Sequence, residues 1–102
     1  MPVYRGNRSQ NAGSLVVTKD GEILSPGPSQ KIWNHSPDGF QWGYGGSGPA
    51  QLALALLLDV TDNTETAVKL HQDFKFDLVV QWGDAWAIST EQIQIWLHKH
   101  GA

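Results

Sequence analysis

The sequence predicts a single α+β domain: an N-terminal antiparallel sheet followed by three helices, the first of them central and buried. Three observations predict this class. A β-branched apolar run leads into an Asp-Gly turn, a leucine-rich run follows a glycine-rich segment, and two helix-capping patterns come later. A chain of 102 residues has the length of one domain, with its β-rich half expected over residues 1–46 and its helical half over residues 47–102.

The first predicted hairpin joins residues 14–19 to residues 22–24 through Asp-Gly at 20–21. This dipeptide favours a type I′ turn, because both central residues of that turn need a positive φ. Residues 3–5 are predicted to add an edge strand. Residues 25–29 are rich in proline and glycine, and are therefore predicted to be a connector.

A second hairpin is predicted from residues 31–35 and 40–44, with its turn at Ser-Pro-Asp-Gly, residues 36–39. Aromatic residues alternate with small or polar ones over residues 40–44, which places three rings on one face of a strand. The two hairpins together account for the β-rich half of the predicted fold.

The first predicted helix begins near Pro49, which fits the first turn of a helix, with Ser47 or Gly48 as its cap. Residues 50–58 contain five leucines and almost no polar face, so this helix is expected to be buried nearly all round. The second helix, or an extended tail of it through residues 78–80, is expected to end at residues 83–84. The two later helices are predicted from capping patterns at residues 62–65 and 89–92.

The composition excludes several classes of site. The absence of cysteine excludes disulfides, zinc–thiolate sites, iron–sulfur clusters and a cysteine nucleophile. Residues 1–37 carry four Lys or Arg against two Asp or Glu, and residues 38–102 carry three against eight. Because no basic stripe results, sequence-independent nucleic-acid binding is not expected. Neither a signal segment nor a membrane-spanning run is evident, so we expect a cytoplasmic protein, with homo-oligomerisation left open.

Residues 42–50 form the candidate ligand site, because a glycine-rich loop leads there into a helix. Free amides and the positive helix end converge at such a junction, as in a phosphate cradle. The Lys-Ser/Thr pair of a P-loop is missing, and a tight strand-to-helix turn explains the glycines more simply. In the cradle interpretation, arginines neutralise the phosphate and an aromatic ring stacks on the ligand. The candidate ligand-binding residues are Arg5, Arg8, Trp33, His35, Tyr44, Gly45, Gly46, Ser47 and Gly48.

Polar residues of the second turn include the elements of a catalytic group. His35 and Asp38 have the types of a general base and its orienter, and Ser36 or Ser47 that of a nucleophile. Such residues in a turn usually bond to the local backbone, so we expect no catalytic residue and no enzyme. His71 is expected to be partly buried and hydrogen-bonded. A metal site would need it to meet His35 and a carboxylate, and we expect no metal and no other cofactor.

Five tryptophans in so short a chain indicate either an aromatic pocket, interface hot spots or an economically filled core. Trp42 and Trp96 fit core positions by their periodicity. Trp82 and Trp86 flank a Gly-Asp pair, and are therefore the candidates for contact with a protein partner at the surface.

Two segments, WNHSPDGF at residues 33–40 and WGYGGSGPAQLA at residues 42–53, resemble a family of small prokaryotic and phage proteins. Its members carry a domain of unknown function of about one hundred residues, the size of one small domain. The resemblance runs over nearly the whole chain. It implies a bacterial, plasmid or phage setting, but no activity and no catalytic residue.

Two function classes follow from these observations. The first is a small non-catalytic interaction module that binds a protein partner. In a phage or mobile-element setting, this partner could belong to a host defence system. The alternative is a small-molecule binder that holds a phosphate or nucleotide at residues 45–48 and the helix N-terminus.

Overall fold

The computed structural model describes residues 2–8 and 15–102, and it has the predicted α+β fold. The start of the first predicted hairpin, residue 14, lies outside the described residues. None of the helices described is long and apolar enough to cross a membrane. The elements are β1 (Val3–Asn7), β2 (Val16–Lys19), β3 (Glu22–Ile23), α1 (Gly27–Ile32), α2 (Ser47–Thr61), α3 (Thr64–Asp77), a 3₁₀ turn (Val79–Gln81), β4 (Ala85–Ser89) and α4 (Thr90–Lys99).

The four strands form one antiparallel sheet in the order β3-β2-β1-β4. The strand predicted at residues 3–5 is present as β1, but its predicted edge position is wrong. β1 lies inside the sheet, with Tyr4 paired to Lys19 on one side and to Ile88 on the other. β4 was not predicted, because residues 78–84 were expected to continue the second helix. That helix ends at Asp77, and the chain turns back to bring β4 beside β1.

The Asp-Gly hairpin is confirmed. Asp20 has φ 51° and Gly21 has φ 86°, so both central residues adopt the left-handed conformation that a type I′ turn requires. The turn joins β2 to β3, whose two residues pair with the end of β2. β3 is thus a short edge strand, which limits pairing with other chains.

The second predicted hairpin is wrong. Its first arm overlaps α1, and residues 33–46 form a loop without strands. The proline-rich connector begins a helix because Pro26 is the N-cap residue and another proline follows in the first turn, where no N–H is needed. The predicted turn does form, with the Gly39 N–H donating to the Ser36 carbonyl at 3.2 Å.

The three predicted helices are present as α2, α3 and α4. α1 is an additional helix within residues 1–46, and β4 is an additional strand within residues 47–102. All residues of α2 from 48 to 57 are buried, which confirms the central helix. Its N-cap is Gly46, one residue before the expected cap. The Asn63 side chain caps α3 by accepting from the Thr66 N–H at 3.0 Å. Ser89 and Gln92 form a reciprocal capping box at the start of α4.

The inner face of the sheet and α2–α4 share one hydrophobic core. Trp42 and Trp96 both belong to it, as predicted from their periodicity. Trp86 belongs to it as well: its indole lies flat on Gly6 in the neighbouring strand, where a Cβ would be 2.3 Å from Trp86 Nε1. The buried Trp86 N–H has no acceptor among the described residues, so ring contacts hold this side chain. Trp42 meets it edge-on, with centroids 5.5 Å apart.

Gly6→Ala should lower the free energy of unfolding by about 1–3 kcal/mol, because the added methyl group overlaps a rigid, buried indole. Urea unfolding measures this change. Gly83→Ala is the matched control, since a Cβ there has no atom within 4 Å, and it should stay within about 0.5 kcal/mol of the wild type. Equal stability of the two variants would contradict the packing of Trp86 on β1.

Candidate functional site

A buried glutamine anchors the loop of residues 33–46 to the central helix. Gln51 of α2 is fully buried, and its Nε2 donates to Ser29 Oγ at 2.9 Å and to the Trp33 carbonyl at 3.1 Å. Its Oε1 accepts from the Ser36 N–H at 3.0 Å. These bonds replace the strand ladder expected here, and they fix the position of the residues between Trp33 and Ser36.

Two histidines meet where this loop crosses α3. His35 Nε2 lies 2.9 Å from His71 Nε2, and His71 Nδ1 lies 2.6 Å from the Val68 carbonyl. A carbonyl only accepts, so in the neutral pair His71 carries its proton on Nδ1 and accepts at Nε2 from His35. Trp33 stacks on the His35 ring, with centroids 4.4 Å apart. The expectation of a hydrogen-bonded His71 is confirmed, and its burial is nearly complete, at 1% exposed.

The surroundings of the histidine pair favour the neutral rings. Burial lowers the pKa of His35, and the neighbouring His71 and the Lys75 ammonium lower it further. Burial also lowers the pKa of His71, while its contact with the Val68 carbonyl acts in the opposite direction. Within residues 2–8 and 15–102, no three His, Cys, Asp or Glu side chains are grouped to hold a metal. The structure also pairs His35 with His71 rather than with Asp38, which is exposed.

One helical turn beyond His71, Lys75 reaches the glycine-rich loop. Lys75 is only 6% exposed, and its Nζ donates to the Gly45 carbonyl at 3.3 Å. The same Nζ lies 4.1 Å from the centroid of the Phe76 ring. Sequence reasoning missed Lys75. Its spacing of four residues from His71 on one helix was the available signal that both side chains share a face.

Two exposed aromatic rings border the same loop. A Cβ at Gly45 would lie 3.5 Å from the Phe76 ring, and a Cβ at Gly46 would lie 2.3 Å from the Tyr44 ring. Phe76 is 59% exposed and Tyr44 is 50% exposed, and Trp33 on the histidine pair is 48% exposed. These three rings, which we call the aromatic surface, lie around residues 33–46 and one side of α3.

The glycines have a steric role at the start of α2. A Cβ at Gly48 would lie 2.4 Å from Gln41 Cβ, so close packing excludes any larger residue there. Pro49 has no N–H, and the Ala50 N–H already donates to the Gly46 carbonyl at 3.2 Å. The first turn therefore leaves at most two amides for an anion, those of the exposed Ser47 and the buried Gly48, which is fewer than a phosphate-binding loop provides.

The structure gives the two arginines of the predicted ligand site different surroundings from those expected. Arg8 Nη2 donates to the Trp42 carbonyl at 2.6 Å, and its guanidinium lies 5.2 Å from the Trp42 ring centroid. Arg8 Nη1 also lies 3.4 Å from Asp84 Oδ1. Arg5 is exposed on β1, on the opposite face from the buried Tyr4. The structure therefore does not join Arg5 to residues 45–48.

The expected surface position of the two partner-binding tryptophans is wrong for Trp86. This side chain is 8% exposed because it points from β4 into the core. Trp82 is partly buried and stacks on Trp86, with centroids 4.1 Å apart. Sequence reasoning took the Gly-Asp pair for a helix end, whereas it precedes a strand whose alternate residues face the core.

The histidine pair should make stability depend on pH. The unfolded chain binds these protons at higher pH than the folded chain, so stability is greatest above the ordinary histidine pKa and falls as the pH drops through it. Urea unfolding between about pH 8 and about pH 5 should show a weaker dependence for His35→Gln than for the wild type. His98→Gln, at an exposed position of α4, is the control. An unchanged dependence in His35→Gln would contradict this arrangement.

The comparisons with known proteins agree with the observed resemblance at the level of family. No curated protein and no solved structure matches the chain. A family model does match, over residues 4–99, and so covers α1 to α4 and, among the described residues, all of the sheet except Val3. The chain therefore belongs to the family of unknown function DUF6166.

Proposed function

We propose that this protein is a non-catalytic interaction module that binds a protein partner through the aromatic surface of Trp33, Tyr44 and Phe76. The exposure of three large rings around one loop carries the proposal, since each is 48–59% exposed. Large aromatic side chains are enriched in protein interfaces and dominate their binding energy. Single exposed apolar residues need no explanation, but several around one loop favour an interface.

Each ring of the aromatic surface contacts another part of the protein before any partner binds. Trp33 stacks on His35, and its carbonyl is bound by the buried Gln51. Tyr44 lies against Gly46, and Phe76 projects from α3 beside Lys75. Contacts of this kind restrict the side chains before binding, which reduces the conformational entropy that binding costs and favours affinity.

The biological setting of the proposal comes from the family resemblance alone. In a phage or mobile-element setting, the partner would be a component of a bacterial host defence system, met in the cytoplasm. The domain is large enough for this role, because a standard interface buries about 800 Å² on each partner and the accessible surface of the domain is 5710 Å².

The alternative function, a small-molecule binder at residues 45–48, has support from one observation. The Lys75 ammonium reaches the Gly45 carbonyl and takes the place expected for Arg5 or Arg8. The small number of free amides in the first turn of α2 makes this the second candidate. Protein binding is favoured because it explains the exposure of all three rings of the aromatic surface.

Trp33→Ala and Phe76→Ala should each weaken a partner complex by about 2 kcal/mol, or roughly thirtyfold in Kd, if the ring is a hot spot. The partner is first identified by native mass spectrometry of protein purified gently from a bacterial host lysate, and its affinity is then measured by calorimetry. Ile95→Ala is the matched control, because Ile95 is 51% exposed but lies on α4.

Phe76→Ala and Ile95→Ala should keep the thermal stability of the wild type, since each changes a side chain that is more than half exposed. Trp33→Ala should lower the free energy of unfolding by about 0.5–1.5 kcal/mol, because it removes the stacking on His35, and circular dichroism checks that the variant is folded before affinities are compared. Affinity that is unchanged in both ring variants, or that falls equally in Ile95→Ala, would overturn the proposed surface. Recovery of the protein with a small molecule and no protein partner would favour the alternative function.

A further inference from the structure

Lys75 is a buried cation without a counter-ion among the described residues. It is 6% exposed, and the salt bridges of the described residues do not include it. Its hydrogen-bond acceptor is one neutral carbonyl, that of Gly45. An ammonium group has three N–H donors, and a lysine so deeply buried is usually paired with a carboxylate. The uncompensated charge of Lys75 therefore favours an anion from outside the chain.

Lys75 lies near another feature of positive potential, the N-terminus of α2. Gly45, which it contacts, lies two residues before Ser47, where the 15-residue helix α2 begins. The Ser47 and Gly48 amides and the positive end of the helix dipole lie at this point. A side-chain cation and a helix N-terminus thus meet at one loop, and each favours an anion independently of the other.

The other ionisable groups around this point are basic or turned away. Burial lowers the pKa of both His35 and His71, and the positive charge of Lys75 acts in the same direction on both rings. Asp73 and Asp77 are the acidic residues of α3 nearest to Lys75 in sequence, and both are exposed. Each is two residues from Lys75, or about 200° round the helix, and therefore lies on the opposite face. Asp77 accepts from Trp96 Nε1 at 2.9 Å, on the side towards α4.

We propose that Lys75 Nζ and the first amides of α2 bind an oxyanion, a carboxylate or a phosphate group, between the Tyr44 and Phe76 rings. The rings exclude water from one side of the site, which strengthens the attraction between the ammonium and the anion. The oxyanion comes either from a free phosphate compound or from an acidic side chain of the protein partner. The second source rests on the proposed function.

The test is an NMR titration of the full chain with inorganic phosphate and, separately, with acetate, at constant ionic strength set by sodium chloride. Saturable shifts are expected at the Ser47 and Gly48 amides. The pKa of the histidine pair should rise on saturation, because the bound anion offsets the Lys75 charge. Lys75→Met should weaken binding at least about tenfold and remove this coupling. Lys69→Met, which changes an exposed lysine of the same helix, is the control.

A second variant tests the helix end without touching the buried cation. Ser47 is the first residue of α2, where proline is well tolerated, so Ser47→Pro removes one amide donor and preserves the helix. It should weaken phosphate binding severalfold relative to Ser47→Ala, which keeps the amide. The proposal is overturned if neither anion gives saturable shifts, if Lys69→Met weakens binding as much as Lys75→Met, or if Ser47→Pro binds like Ser47→Ala.

Binding of the partner then identifies the source of the oxyanion. If the Lys75→Met variant no longer binds phosphate but still binds the partner, the natural ligand of the site is a free phosphate compound. If the variant loses both phosphate binding and partner binding, the natural ligand is an acidic side chain of the partner. If the aromatic-surface variants bind the partner normally while phosphate still saturates the loop, the anion site stands and the proposed function fails.

Discussion

The arrangement of the candidate site depends on one buried amide. Gln51 lies in the second turn of α2, within the buried and otherwise apolar stretch from 48 to 57. Its side chain holds α1 and both ends of the segment from Trp33 to Ser36. A buried amide left without partners would cost the free energy of its desolvation, so the loop and the helix stabilise one another. Trp33 and His35 take their places because of these bonds. The glycine-rich loop beyond them then enters α2 alongside α3.

The helices α2, α3 and α4 were predictable from the sequence because their signals are local, whereas α1 replaces a predicted connector and strand. The leucine-rich run, the Asn63 cap and the Ser89–Gln92 capping box each act within a few residues. The Asp-Gly turn is local in the same way. The interior place of β1 was not predictable, since it depends on pairing with β4 at the other end of the chain.

The candidate site shows the same division between local and long-range signals. Its aromatic residues Trp33 and Tyr44 and the glycine-rich segment could be selected from one stretch of sequence. The buried groups beneath them could not, because Gln51 and Lys75 have the residue types of a solvent-exposed face. Only the packed structure shows that Gln51 forms hydrogen bonds with the loop backbone and that Lys75 reaches the Gly45 carbonyl. Trp86 is the converse case: its flanking residues suggested exposure, and Gly6 provides the space that buries it.

The interior position of β1 has a consequence for how the protein is made. Val3 pairs with Ser89, so the sheet cannot close until the ribosome has synthesised β4 and released it from the exit tunnel. α2 and α3 are adjacent in sequence and in space, and can pack together before that point. During this interval β1 and β2 expose one unpaired edge and the apolar face that later covers the core. Correct synthesis therefore requires the nascent chain to keep that edge from pairing with other chains until β4 arrives.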